Sequence, residues 1–240
     1  MQGIRLAIAA AAVALLALVA GPAGAQEIAP PSKAKGATLA RVAAPTFARS
    51  RLTGPRRGHS VSTQTSWSGQ AQQLLVLDSE TRRGQEWVKL LLAVRPNGTS
   101  GWVPRDHVVL GRTPYWVEVG VGRRLVTVFR NGKSVRRFEA VVGKPSTPTP
   151  LGLAAIYEVT RQPNPGGFLG PWVLPLTSLS NVLKDFGGGP GRVAIHGRGG
   201  ASFNDALGSA RSHGCIRVDN QHISWMASHV PAGAPVLVKR

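Results

Sequence analysis

Hydrophobic positions in this chain come in short runs, broken by Gly, Pro and Asn, and almost nowhere fall at the three-to-four residue spacing of a helix. Residues 72–77, 87–94 and 102–109 predict strands, punctuated by Arg83-Gly84 and Pro96-Asn97-Gly98. Asn97-Gly98 between two apolar runs predicts a hairpin, because a tight turn there needs positive φ. Farther on, Tyr115-Trp116-Val117-Glu118-Val119, Leu125-Val126-Thr127-Val128-Phe129 and residues 135–142 predict a second hairpin around Asn131-Gly132. Strands are also expected over 154–159, over 192–195 ending on His196-Gly197, and over 235–239. The helical pattern is confined to a turn at 204–207 and one helix over 221–230, with Ile223, Met226 and Val230 on one face and Asp219-Asn220 as its cap. The expected fold class is mainly β with one short helix.

Two stretches fall outside this pattern. Residues 1–25 carry one charge, Arg5, then an unbroken apolar run of 15 residues from Leu6 to Ala20, then Ala23-Gly24-Ala25. That is the layout of a secretory signal, and the run is shorter than the roughly 20 residues of a spanning helix. Export to the periplasm or cell wall is expected, with no stable membrane span after cleavage and no lipid-bearing cysteine at the cleavage point. Residues 26–38 are rich in Pro, Ala, Lys and Gly with nothing to bury, and are expected to form a flexible linker.

Composition sharpens the picture. With 29 Gly and 18 Pro and no internal repeat, a turn-rich β protein fits and collagen-like or low-complexity readings fail. The net charge of +18 favours polyanionic partners, which outside the cytoplasm are wall polymers and lipid headgroups. The basic pairs, such as Arg56-Arg57 and Arg136-Arg137, are scattered without interleaved aromatics, so no nucleic acid is expected as partner.

The segment running from Trp87-Val88-Lys89-Leu90 through Arg95-Pro96-Asn97-Gly98 to Gly101-Trp102-Val103-Pro104 resembles the end of a bacterial SH3-like domain. The resemblance implies a small SH3-like β-barrel over residues 39–112, joined near 111–114 to a second domain over 113–240.

The chemistry centres on Ser212-His213-Gly214-Cys215-Ile216-Arg217, which holds the one cysteine of the chain. Exported proteins usually pair their cysteines, so a lone thiol beside a histidine points to a nucleophile. A thiol needs a base or a dipole to react at neutral pH, and His213 and His196 are both candidates for the base. Amides around Gly214 and Cys215 are candidate donors to a developing oxyanion, and Arg217 is a candidate ligand for a substrate carboxylate.

His196, then Ser212-His213-Gly214-Cys215-Ile216-Arg217 and Asn220, resembles the signature of the L,D-transpeptidase catalytic domain, the YkuD family. Thr147-Pro148-Thr149-Pro150-Leu151-Gly152 belongs to the same likeness, which spans about 114–240. The resemblance implies a mostly β sandwich. It also implies that Cys215 attacks a peptidoglycan stem tetrapeptide between its third and fourth residues, releases D-alanine and passes the acyl group to a neighbouring stem as a 3→3 cross-link. By the same likeness His196 is the base, oriented by the Gly197 carbonyl, while His213 and Gly214 shape the oxyanion site and Ser212 and Asn220 hold the loop and contact substrate. Tyr157 and Trp172 are candidate groove-lining residues. No cofactor and no metal is expected.

Three rivals stand beside this reading. His196, His213, Cys215 and His222 are conceivable zinc ligands, though one cysteine and no carboxylate in the loop speak against them. A basic wall-binding protein with an inert buried cysteine would be non-enzymatic. An L,D-carboxypeptidase would share the acyl-enzyme and use water as acceptor.

Overall fold

The computed structural model describes residues 28–240, so the stretch read as an export signal lies outside the described residues. The first unit is a seven-stranded antiparallel sheet built from β1 (Ala37–Val42), β2 (Thr46–Arg49), β3 (Gly58–Val61), β4 (Gln73–Arg82), β5 (Gln85–Leu91), β6 (Ser100–Pro104) and β7 (Val108–Thr113). The strands lie in the order β3-β2-β6-β5-β4-β1-β7. Alternation works as read from the sequence: Leu74 and Val76, Val88 and Leu90, with Ala40, Val42, Val103 and Val108, fill one core.

Two expectations change here. The predicted strand over 102–109 divides into β6 and β7, with a turn of 3-10 helix at Arg105–His107 between them; Pro104 has no N–H with which to continue the ladder. The Asn97-Gly98 hairpin is wider than a two-residue turn, since β5 ends at Leu91 and β6 begins at Ser100. Gly98 does take the positive φ (+83°), but the side chains of Arg95 and Asn97 are drawn out to the other unit, as described below.

Residues 28–36, expected as a flexible linker, lie against both units. The Ile28 amide donates to Ser79 Oγ at 2.8 Å, and Lys33 Nζ is 3.4 Å from the Glu118 carboxylate and 4.7 Å from the Phe129 ring centroid. Pro114 alone separates β7 from β8 (Tyr115–Gly120).

The second unit continues with β9 (Leu125–Arg130), β10 (Lys133–Glu139), β11 (Val142–Gly143), β12 (Gly152–Ala155), β13 (Thr160–Arg161), β14 (Trp172–Leu179), β15 (Arg192–His196), β16 (Ala210–Ser212), β17 (Ile216–Arg217), α1 (Asn220–His229) and β18 (Pro235–Lys239). A five-stranded sheet runs β10-β9-β8-β18-β12 and a four-stranded sheet runs β13-β14-β15-β17, with β11 and β16 forming a short parallel pair. Asn131-Gly132 makes the two-residue turn expected of it, both residues at positive φ (49° and 78°) between the paired Arg130 and Lys133. Val117, Val119, Val126, Val128 and Val236 from one sheet meet Leu174, Leu176, Val193, Ile195 and Ile216 from the other, and α1 adds Ile223 and Met226 to the same core. Among the described residues the chain is mainly β with one short α-helix.

The strand expected over 154–159 stops at Ala155 because Tyr157 and Glu158 turn to the first unit. Tyr157 Oη accepts the Ser66 amide at 2.9 Å, and the buried Glu158 carboxylate accepts the hydroxyls of Thr65 (2.7 Å) and Ser68 (2.5 Å). Leu39, Leu75 and Leu91 close over Ala155 in a small core shared by the two units. The helical turn expected over 204–207 forms earlier, at Gly200–Asn204, where Ser202 Oγ accepts the Gly199 amide and donates back to the Gly199 carbonyl. Asp219 occupies the cap position of α1 but its side chain makes no capping bond.

Candidate active site

The site is laid out by the parallel pairing of β15 with β17. The register Ile195↔Ile216 and His196↔Arg217 sets Cys215 level with Ala194. Strand side chains alternate, so Val193, Ile195, Ile216 and Val218 enter the core while Ala194, His196, Cys215 and Arg217 share the opposite face. The apolar run before His196 makes β15 a central strand, flanked by β14 and β17, and the imidazole at its end is only 1% exposed.

His196 Nδ1 lies 2.7 Å from the Gly197 carbonyl, which takes the Nδ1 proton of a neutral ring. Burial pushes the imidazole pKa down to about 4, helped by the Arg217 charge and opposed by the carbonyls of Gly197 and Leu169. Cys215 is half-buried as a residue and its thiol is free. Burial of the sulfur raises its pKa, while the Ala194 backbone amide and the Arg217 charge favour the thiolate. His196 ends β15 and Cys215 immediately precedes β17, on the same face and two residues out of register, and among the described residues no hydrogen bond joins ring to sulfur. Both shifts favour the uncharged forms, a thiol and a neutral imidazole.

The turn before the cysteine is held from inside and outside. Ser212 Oγ donates to the Cys215 carbonyl at 2.6 Å and accepts the Gly214 amide at 3.1 Å. The Gly214 amide, one of the two donors suggested for an oxyanion, is therefore engaged, which leaves the Cys215 amide as the better candidate. Thr149 Oγ1 donates to the Gly214 carbonyl and accepts the Gly143 amide, both at 2.9 Å, and Thr147 Oγ1 donates to the Ser212 carbonyl at 3.3 Å. Gly214 sits at φ +118°, where a side chain would strain the turn. The proline-rich loop is thus a brace for the cysteine, a role carried by two threonine hydroxyls that no local pattern singles out.

Arg217 is 4% exposed and its Nη1 bonds Asp205 at 2.5 Å, not the nearby Asp219. Its guanidinium lies 4.8 Å from the ring centroid of Phe168, which is itself exposed and 6.3 Å from the His196 ring. Arg198, buried beside it, donates to the carbonyls of Phe203 and Asp205. Asn220 bonds the backbone of Arg198, and a Cβ on Gly197 would overlap its Oδ1. His213 is exposed, with Nε2 3.5 Å from Lys144 Nζ and its ring 6.0 Å from that of Phe186. Trp172, half-buried at the start of β14, packs on the core and accepts the Gly197 amide at its carbonyl (3.2 Å). Tyr157 is buried at the junction of the units, its ring under Arg192 at 4.4 Å. Among the described residues no three His, Cys, Asp or Glu side chains cluster as metal ligands; His222 instead stacks on Phe138 at 4.4 Å. Among the same residues no helix is long and apolar enough to cross a membrane.

A family model, the L,D-transpeptidase catalytic domain YkuD, matches residues 114–238. The YkuD protein of Bacillus subtilis strain 168, which carries an L,D-transpeptidase designation, is 33% identical over 156 residues, 62% of this chain and 85% of that protein. Among solved structures, an L,D-transpeptidase from Mycobacterium tuberculosis aligns at 16% identity and TM-score 0.44 over 70% of this chain and 90% of that one. An L,D-transpeptidase in complex with imipenem aligns at 18% identity and TM-score 0.41 over 68% and 98%.

Proposed function

The chain belongs to the YkuD family of L,D-transpeptidase catalytic domains, and from that premise we propose that it is an exported enzyme that forms 3→3 cross-links in peptidoglycan. Cys215 Sγ attacks the carbonyl carbon of the third residue of a stem tetrapeptide, and the thiol proton passes to His196 Nε2. The tetrahedral oxyanion is received by the Cys215 amide. Collapse breaks the bond to the fourth residue, His196 returns its proton to the leaving amine, and D-alanine departs. The amine on the third residue of a neighbouring stem then attacks the thioester, forming the cross-link and regenerating the thiol.

The observation that carries this reading is the shared face of the parallel strands β15 and β17, with His196 ending β15, Cys215 just before β17 and two residues out of register with it, and His196 Nδ1 on the Gly197 carbonyl. A raised thiol pKa and a lowered imidazole pKa mean that the proton moves during attack rather than resting on the ring beforehand. The first unit is read as an SH3-like module that, with the net charge of +18, holds the enzyme on anionic wall polymers.

The test is a disaccharide-tetrapeptide assay with the native protein beside Cys215→Ala. The expected product is a cross-linked dimer with free D-alanine, absent from the variant. A tripeptide alone would move the assignment to an L,D-carboxypeptidase, and an inactive native protein would overturn the enzymatic reading. Imipenem is expected to acylate Cys215 with retention of the whole drug mass, since the β-lactam amide opens onto sulfur without losing an atom; intact mass spectrometry reads this directly.

A further inference from the structure

The loop over 180–191, between β14 and β15, reaches the nucleophile turn: the Phe186 ring lies 6.0 Å from that of His213. It has little burial of its own to hold it there, for Val182 is 52% exposed and Phe186 56%. Its tip is a tight turn in which Phe186 and Gly189 exchange backbone bonds at 2.9 and 3.2 Å, and its base is closed by the Ser180 amide on the Gly191 carbonyl at 2.7 Å. Within the loop the Ser180 hydroxyl accepts the amides of Val182 (3.3 Å) and Leu183 (3.0 Å), and the other unit adds a second hold. Arg95 Nη2 lies within hydrogen-bond distance of the carbonyls of Ser180 (2.9 Å), Leu183 (3.2 Å) and Pro190 (2.9 Å), its two N–H groups shared among three oxygens, gathering both ends of the loop on one guanidinium. Asn97 pairs with Leu179 as a strand would, its Nδ2 donating to the carbonyl and its Oδ1 accepting the amide, both at 2.8 Å. The segment that presents them is stiff, with the Leu92 amide on the Thr99 carbonyl (2.8 Å) and Thr99 Oγ1 on the Pro96 carbonyl (2.7 Å).

We propose that Arg95 and Asn97 of the first unit are positioning residues for the acyl-transfer site: they clamp the loop 180–191 so that Phe186 forms a wall of the stem-peptide groove beside His213. This rests on the functional reading above. Removing the guanidinium takes the charged donor from three carbonyl oxygens at once, so the base of the loop loosens and hydrates. The first unit then takes part in recognising substrate, besides any hold it has on the wall.

The experiment compares the full-length native protein with Arg95→Ala, Asn97→Ala, Phe186→Ala and the Arg95→Ala/Phe186→Ala pair on the disaccharide-tetrapeptide. Each single change is expected to lower kcat/KM about tenfold, chiefly through KM, as for a misplaced substrate contact. The pair is expected to be no worse than either single change, because both remove the same wall. Iodoacetamide alkylation of Cys215, which needs no groove, should not be slowed, and Arg95→Lys should recover part of the loss. Hydrogen exchange over 181–190 should accelerate in Arg95→Ala and not in Phe186→Ala. Native-like kcat/KM in folded Arg95→Ala and Asn97→Ala, or fully additive losses in the pair, would overturn the clamp. If Arg95→Ala does not fold, Asn97→Ala and the surface change Phe186→Ala carry the comparison. An inactive native protein would sink the functional reading instead, and the exchange data would then decide the clamp: unchanged protection in Arg95→Ala ends it.

Discussion

The side-chain amide of Asn220 brackets the peptide of Arg198, accepting its N–H at 2.7 Å and donating to its carbonyl at 2.9 Å. One residue of α1 thereby fixes the turn that follows His196, two positions from the ring. Asn220→Ala removes both bonds and leaves backbone groups without partners; the expected loss is about 2 kcal/mol, read as a lower urea midpoint. Activity on the tetrapeptide should fall as well, because the carbonyl of Gly197 that orients His196 belongs to the same turn. Unchanged stability would mean that water replaces the amide without cost.

Asp205 is the counter-charge of the buried Arg217. Asp205→Ala strands that guanidinium, and the expected cost is about 3 kcal/mol in chemical denaturation. Replacing both members, Asp205→Ala with Arg217→Met, should recover much of the stability, since the penalty belongs to the unpaired charge. A pair as unstable as the single change would show that the ion pair itself supplies the stabilisation.

Acid should weaken the fold through His196. The native ring titrates near 4, below the ordinary value of 6.5 that it regains on unfolding. Above about pH 6.5 neither state is protonated there and the full stability is present. As pH falls from about 6.5 to about 4 the unfolded chain takes up a proton that the native one refuses, and on the order of 3 kcal/mol is lost. Urea titrations at pH 7 and pH 4.5, in the native protein and in His196→Gln, isolate this contribution. Equal losses in both would assign the acid sensitivity to carboxylates.

Cys215 should alkylate slowly at neutral pH in the absence of substrate. Its thiol is raised by burial, so the rate against iodoacetamide should climb with pH and inflect above the value for the same protein unfolded in urea. A plateau extending down to pH 5 would reveal a standing thiolate and imidazolium pair, contrary to the uncharged forms that burial favours.

What was legible in the sequence follows from how far each interaction reaches. The strand ending on His196 and the strand Pro235–Lys239 show as apolar runs, and Asn131-Gly132 shows as a turn, because their causes lie within a few residues. The partners of functional side chains were not legible. Arg217 has Asp219 two positions away yet pairs with Asp205 across the site, since the register of β15 with β17 decides which carboxylate it meets. Asn220 reads locally as part of a helix cap and is turned instead toward Arg198, 22 residues earlier. Side chains bonding distant backbone, such as Thr149 to Gly214 or Arg95 to Ser180, leave no periodicity in either segment.

Pro114 is the single residue between the last strand of one unit and the first of the next. A joint that short stores no slack. Tension applied across the two units would pass straight along β7 into β8, the middle strand of the five-stranded sheet, instead of being spent in uncoiling a linker.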